Sequence, residues 1–239
     1  MRKLCLVLCF AQIATVGAQN HYFTFESEGL IPTGRFGSSG SGIYSPDGYA
    51  SLGSGFQLSY TFTLKTNWGI RFGYRQTSFL SGLMEFKQHI TDTAGDNIFV
   101  SVSSLPWNLR TPYVGIVRNI DLGKSFAIQP HLLIGYTYSE LPEVRMTVHN
   151  TTDTTSYPYM LGSEYFGAST HSISFDLGTR VNWYVTNRFY VHASLSYFYT
   201  QAVYNAVTAY DFPPTSRRDI QIHQYITSVN YGIGLGLKL

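Results

Sequence analysis

The sequence predicts an all-β fold: eight antiparallel strands closed into an up-and-down transmembrane β-barrel, with four long loops at one end and three tight turns at the other. Three observations carry this. Apolar and polar residues alternate with period 2 in segment after segment. Charged residues are only 13 % of the chain, against about 25 % in ordinary soluble domains, while aromatics reach 16 % with 19 tyrosines. The connections between segments alternate long and short, and in an up-and-down sheet this gathers every tight turn at one end.

The chain opens on a segment with the parts of a secretory signal, residues 1–18. Arg2 and Lys3 form the basic start, Leu4 to Ile13 the apolar core, and Val16-Gly17-Ala18 a small-residue cleavage site. That core is shorter than the ~20 residues a spanning helix needs. Leu6-Val7-Leu8-Cys9 makes a poor lipoprotein box, because Leu8 is too large for the position before the cysteine. Export with cleavage after Ala18 is therefore expected, leaving 19–239 as one barrel domain. Cys5 and Cys9 depart with the signal, so disulfides do not hold the mature chain. Losing Arg2 and Lys3 takes the 16 basic residues to 14, level with the 14 acidic ones, and a nucleic-acid binder would need a basic excess. No run of 18 apolar residues follows, so strands rather than helices must do any spanning.

The first strand falls in "HYFTFESEGLIPTG", with Phe23 and Phe25 against Thr24, Glu26 and Glu28. The second is the cleanest: Ala50, Leu52, Phe56, Leu58, Tyr60, Phe62 and Leu64 share one face, and glycine, serine, threonine and Gln57 the other. After "KT" the third sets Trp68, Ile70, Phe72 and Tyr74 against Gly69, Arg71, Gly73 and Arg75. The fourth, near "TPYVGIVRNIDL", is ambiguous in parity, and Val114, Ile116 and Ile120 are taken as its outer residues. The fifth, after "GK", sets Phe126, Ile128, Leu132, Ile134, Tyr136 and Tyr138 against Gln129, His131, Gly135 and Thr137. The sixth opposes Ile173, Phe175, Leu177, Val181 and Trp183 to Ser174, Asp176, Gly178, Arg180 and Asn182. The seventh, after "TN", opposes Phe189, Val191, Leu195, Tyr197 and Tyr199 to His192, Ser194 and Ser196. The eighth is the terminal "SVNYGIGLGLKL", apolar on one parity and glycine or polar on the other. Long stretches separate strands 1 and 2, 3 and 4, 5 and 6, and 7 and 8.

Barrel size decides which face looks out. An eight-stranded barrel has an interior that side chains just fill. The large rings of the apolar faces would overfill it, whereas the Gly, Ser, Thr and Asn faces suit it, so the apolar side faces lipid. Ring placement agrees: Phe62, Trp68, Phe126, Trp183 and Phe189 gather at the tight-turn ends, and Phe79, Tyr138, Tyr199 and Tyr225 toward the long loops. Two aromatic girdles flanking an aliphatic band are what amphipathic rings form at two headgroup levels. The terminal strand then closes on the first, which leaves no backbone unpaired in lipid.

With this alternation over nearly all of residues 19–239, the chain resembles the small outer-membrane β-barrel proteins of Gram-negative bacteria, of the OmpA/OmpX-type size class. The terminal "SVNYGIGLGLKL" is similar to the signal read by the outer-membrane assembly machinery, although it ends on Leu239 where an aromatic is common, and "GLIPTGRFG" (29–37) resembles a turn seen after the first strand of such barrels. The resemblance implies outer-membrane lipid, lipopolysaccharide and the assembly machinery as partners, with long loops extracellular and both termini periplasmic. It implies no activity.

The inward faces would place Glu26, Glu28, Arg71, Arg75, Asp176 and Arg180 in the lumen, with His131, His192 and Lys238. Three acids against three arginines in so narrow a space predict a mutually neutralising plug rather than a conduit, since open channels need more strands. A narrow solute channel is the alternative. His192 and Ser194 resemble the His-x-Ser pair of the outer-membrane lipid A deacylases, but parity turns both inward and no acid is placed beside them. No catalytic residue, cofactor or metal site is expected: "TDTAGDN" (91–97) and "HNTTDTT" (149–155) lack calcium-loop spacing. In the loops, Arg217 and Arg218 could clamp lipopolysaccharide phosphate. Tyr157, Tyr159, Met160, Tyr165 and Phe166 suggest that the 142–170 segment packs on the barrel rim or on a protein partner. The expected role is non-enzymatic: structural, or presenting surface loops to a ligand.

Overall fold

The computed structural model describes residues 18–38, 49–64, 66–82, 98–142, 144–150, 156–161, 168–210 and 217–239. The expected signal core and the 91–97 loop lie outside these residues, as do Tyr165 and Phe166. The strands are β1 (Ala18–Pro32), β2 (Ala50–Leu64), β3 (Trp68–Ser81), β4 (Ile98–Ser104), β5 (Trp107–Arg118), β6 (Ile120–Asp121) and β7 (Phe126–Glu140). They continue with β8 (Val144–Asn150), β9 (Ser156–Leu161), β10 (Ser169–Tyr184), β11 (Phe189–Tyr210) and β12 (Arg217–Lys238).

Eight of them close a barrel in the order β1-β2-β3-β5-β7-β10-β11-β12, and β12 returns antiparallel to β1 with Phe23 opposite Leu237 and Ile31 opposite Val229. The turns at one end are short for local reasons. Asn67 takes φ 62° and donates its N–H to the Leu64 carbonyl, and Gly123 takes φ 86° between β6 and β7. Between β10 and β11, Thr186 accepts the Phe189 N–H on its hydroxyl at 2.9 Å. The chain end is fixed at this same rim, where the Leu239 N–H donates to the His21 carbonyl at 2.9 Å.

The outside of the barrel is an apolar belt. Phe25, Phe72, Ile116, Ile134, Phe175, Leu195 and Ile233 are all exposed, the last to 70 %. A soluble monomer does not carry so continuous an apolar surface, and closure leaves the barrel sheet no edge, so the belt fits hydrocarbon. Val114, Ile116 and Ile120 point outward, as their assumed parity requires. Trp68, Phe126, Trp183, Phe189 and Tyr225 are exposed on this surface, and Tyr138 and Tyr199 are half-buried on it.

Three expectations change. Phe79 does not join the outer girdle. It has the parity of Arg71 and Arg75, and it is buried inside at 1 % exposure. Ala50 is likewise buried, because the β2–β3 register shifts between Ala50 and Gly53 and flips its side. The connections at the loop end are also more ordered than their polarity suggested. β4, β8 and β9 form a second antiparallel sheet, with Val100 opposite Val148 and Val148 opposite Tyr157. The fourth loop is mostly strand, since β11 and β12 run 22 residues each and pair out to Tyr210 opposite Arg217.

Candidate functional site

The lumen is built in layers, each set by parity along β1, β3 and β10. At the tight-turn end is a polar mouth of about 340 Å³, lined among others by Asn20, Tyr22, Asn119, Lys124, Tyr184 and Lys238. Above it Tyr190 packs edge-on against Tyr22 at 5.9 Å and tilted against Tyr184 at 5.4 Å.

The next layer centres on Glu26. Its Oε2 accepts from Arg180 Nη2 at 2.6 Å and lies 2.9 Å from His192 Nε2, while its Oε1 accepts the Ser194 hydroxyl. The His192 and Ser194 pair therefore does have an acid, but in the wrong place for nucleophilic catalysis. The carboxylate lies between the two, so imidazole and hydroxyl each bind Glu26 rather than one another. Arg71, fully buried in the same layer, donates Nε to Thr61 at 3.1 Å and Nη2 to the Gln129 amide oxygen.

One layer on, Arg75 gathers both remaining acids. Its Nη1 meets Asp176 Oδ2 at 2.6 Å, its Nε is 3.1 Å from Glu28 Oε2, and its Nη2 donates to Gln57 Oε1 at 2.7 Å. Asp176 also holds His131 Nε2 at 3.0 Å and the Ser196 hydroxyl at 3.0 Å. The six charged residues expected in the lumen are thus all there, but not as three pairs. Arg75 takes two carboxylates, and Arg71 takes none among the described residues. Gln57 and Gln129, which complete the arginine contacts, sat on the polar faces of their strands and were legible as lumen residues, though not as partners.

Room for this chemistry comes from the last strand. A Cβ at Gly232 would meet the Glu26 carboxylate and the Ser194 hydroxyl, and one at Gly234 would meet the His192 ring. The glycine face of "YGIGLGLKL" is the groove in which the Glu26 cluster lies.

The top layer was not expected. Leu30, Phe36, Phe79, Trp107, Leu109, Phe198, Tyr204 and Ile226 form an apolar core inside the loop end of the barrel. Phe36 arrives there because the chain turns in after β1. Thr33 N–H donates to the Thr227 carbonyl at 2.9 Å, Thr227 Oγ1 donates back to the Thr33 carbonyl at 2.7 Å, and a 3-10 turn over Gly34–Phe36 inserts the ring. It meets Phe79 at 5.0 Å and Trp107 at 5.3 Å, both edge-on. This is the "GLIPTGRFG" turn: it caps the lumen. Of the loop residues expected to meet a partner, Tyr157 and Tyr159 lie on β9, and Arg217 and Arg218 begin β12 opposite Tyr210 and Ala209.

No protein-family model and no curated protein matches the chain. Among solved structures, it is similar to a major outer membrane protein from Thermus thermophilus, at 11 % identity and a TM-score of 0.50, over 92 % of this chain and 99 % of that one. The chain has the fold of a small outer-membrane β-barrel protein. Neisserial surface protein A (12 % identity, TM-score 0.46, 92 % and 97 % covered) and OprG from Pseudomonas aeruginosa (14 %, 0.44, 93 % and 97 %) are also similar. Identities this low make the likeness one of fold. Within that fold, an eight-stranded outer-membrane barrel has no lumen width to spare, and here polar and apolar layers occupy what there is.

Proposed function

We propose that the protein is a non-enzymatic, integral outer-membrane protein of a Gram-negative bacterium that presents its loop end outside the cell while both termini stay periplasmic. The observation that carries this reading is the contrast between the two halves of the molecule. The lumen is filled by the Glu26 and Arg75 clusters and capped by the Phe36 core, whereas β11, β12 and the β4-β8-β9 sheet are ordered at the loop end. Investment in ordered structure at that end suits recognition. The filled lumen supports a plug over a solute channel, and the carboxylate between His192 and Ser194 supports a packing role over lipid hydrolysis.

The extended hairpin and small sheet are the proposed contact surface, with Tyr157, Tyr159, Arg217 and Arg218 on their strands. Surface labelling of single cysteines placed at Asn205 and Thr66 in intact cells tests the orientation: Asn205 labels and Thr66 does not. Replacing 205–221 by a short turn, with the barrel retained, abolishes adhesion or ligand capture by cells bearing the protein. Labelling only at Thr66 would contradict the proposed orientation.

A further inference from the structure

Among the described residues the lipid-facing strand surface carries little charge, and on β5 that charge stands at the two ends of the apolar run. On β5 the outward residues between Arg110 and Arg118 are Pro112, Val114 and Ile116. The eight positions separating the two arginines span roughly 26 Å of strand at about 3.3 Å each, or about 20 Å of depth at a tilt near 40°. That is close to the ~25 Å apolar band of an outer-membrane barrel, so the two arginines stand at its two edges. At the turn end, Arg118 lies over the Trp68 ring at 5.5 Å.

At the loop end the arrangement is richer. Arg110 pairs across the sheet with Tyr138, and Tyr138 with His171. The Arg110 guanidinium stands 5.9 Å over the Tyr138 ring. His171 stacks on Tyr136 at 5.1 Å with a 13° interplanar angle, and packs tilted against Tyr138 at 5.1 Å. Both Arg110 and His171 are exposed, and among the described residues no carboxylate lies within 4.0 Å of either. Glu140, one step further toward the loops, is opposite Asn108 and Ser169 instead. A guanidinium at the hydrocarbon edge reaches the headgroup level, where a lipid phosphate is the anion on hand to pair with it.

We propose that Arg110, Tyr138 and His171 form a binding site for the phosphate of a lipid headgroup, with Tyr136 and Tyr138 holding the two nitrogen donors apart and facing outward. The donors sit two strand spacings apart, about 9.6 Å at the backbone, a gap that one phosphate closes with a charge-assisted bond of about 2.8 Å on each side. The site deepens the reading of the loop end as the outer-leaflet side and rests on it, since there the phosphate would be that of lipid A.

The test uses the barrel in phosphatidylcholine nanodiscs doped with bis-phosphorylated lipid A, or with the same lipid stripped of both phosphates. Native mass spectrometry counts the lipid A that stays bound. The wild type retains the phosphorylated lipid, and Arg110→Gln with His171→Gln loses at least tenfold in retention, since each of the two charge-assisted contacts removed is worth up to about tenfold. Arg118→Gln, at the opposite edge, changes nothing. Equal retention by the double variant, or equal retention of the stripped lipid, overturns the site. Displacement of lipid A by inorganic phosphate alone would make it a free-anion site and overturn the lipid assignment. Unchanged mobility shift on heating confirms that each variant is a folded barrel. Orientation is read separately by the cell labelling above, so a wrong orientation and a wrong site give different results.

Discussion

Replacing Arg75 by leucine tests whether the lumen is a dry plug. The guanidinium contacts Asp176, Glu28 and Gln57 at 2.6, 3.1 and 2.7 Å and lies 5.9 Å from the Phe198 ring. Without it Asp176 keeps His131 and Ser196, but Glu28 keeps no cation within 4.0 Å among the described residues. Removing one member of a buried ion pair and stranding the other costs about 3–5 kcal/mol. Domain stabilities run to about 5–15 kcal/mol, so the loss is a large share of the total. With a urea dependence near 3 kcal/mol per M, the upper end for small proteins, the midpoint falls by about 1–1.7 M. The assay is urea unfolding of vesicle-inserted protein, read by tryptophan fluorescence and by loss of the heat-shifted gel band. Adding Glu28→Gln and Asp176→Asn to Arg75→Leu removes the stranded charges and recovers at least half of the loss. A cost below about 1 kcal/mol, or no recovery in the triple variant, would mean that water screens these groups, and the plug reasoning would fail.

Other substitutions probe the remaining layers. Gly234→Val drives a side chain into the His192 ring and the β1 backbone, an overpacking that costs about 1–3 kcal/mol or more in the same unfolding assay. Phe36→Ala empties the cap over the lumen at a cost of about 3–5 kcal/mol, read as a lowered unfolding midpoint. Ile134→Arg, in the middle of the outer belt, costs about 2–4 kcal/mol in vesicles, while Leu80→Arg, near the edge, costs about 0–1 kcal/mol; equal small effects at both depths would place the outer face in water. Ser194→Ala leaves the acyl content of co-purified lipids unchanged, and a rise in intact lipid on that substitution would reveal an esterase.

Much of this architecture is written in period 2. Alternation locates the barrel strands, their faces and the closure through the terminal strand, because a one-residue slip would turn every side chain over. It also brings Glu26, Glu28, Arg71, Arg75, Asp176 and Arg180 inside. Which of them meet is another matter. Arg75 and Asp176 are 101 positions apart, and their contact depends on strand stagger, which alternation leaves open. Phe79 shows the opposite failure. Its parity is that of Arg71 and Arg75, and grouping it with the outer rings by its place toward the long loops passed over that parity. The volume argument holds for the belt as a whole, but not for the loop end, where Phe36, Phe79, Trp107 and Tyr204 pack edge-on and fill the lumen. Phe36 itself was out of reach of any periodicity, because a 3-10 turn delivers it from outside the strands. The β4-β8-β9 sheet was hidden for a related reason: short strands between polar connections read locally as loop.

Single-channel recording on the wild-type protein in planar bilayers addresses the plugged lumen most directly. A barrel filled by the Arg75 and Glu26 clusters and capped by Phe36 inserts without repeated, stepwise currents, even when native gels show it folded. Reproducible unit steps from folded protein, persisting at both signs of voltage, would show an open conduit and contradict the account.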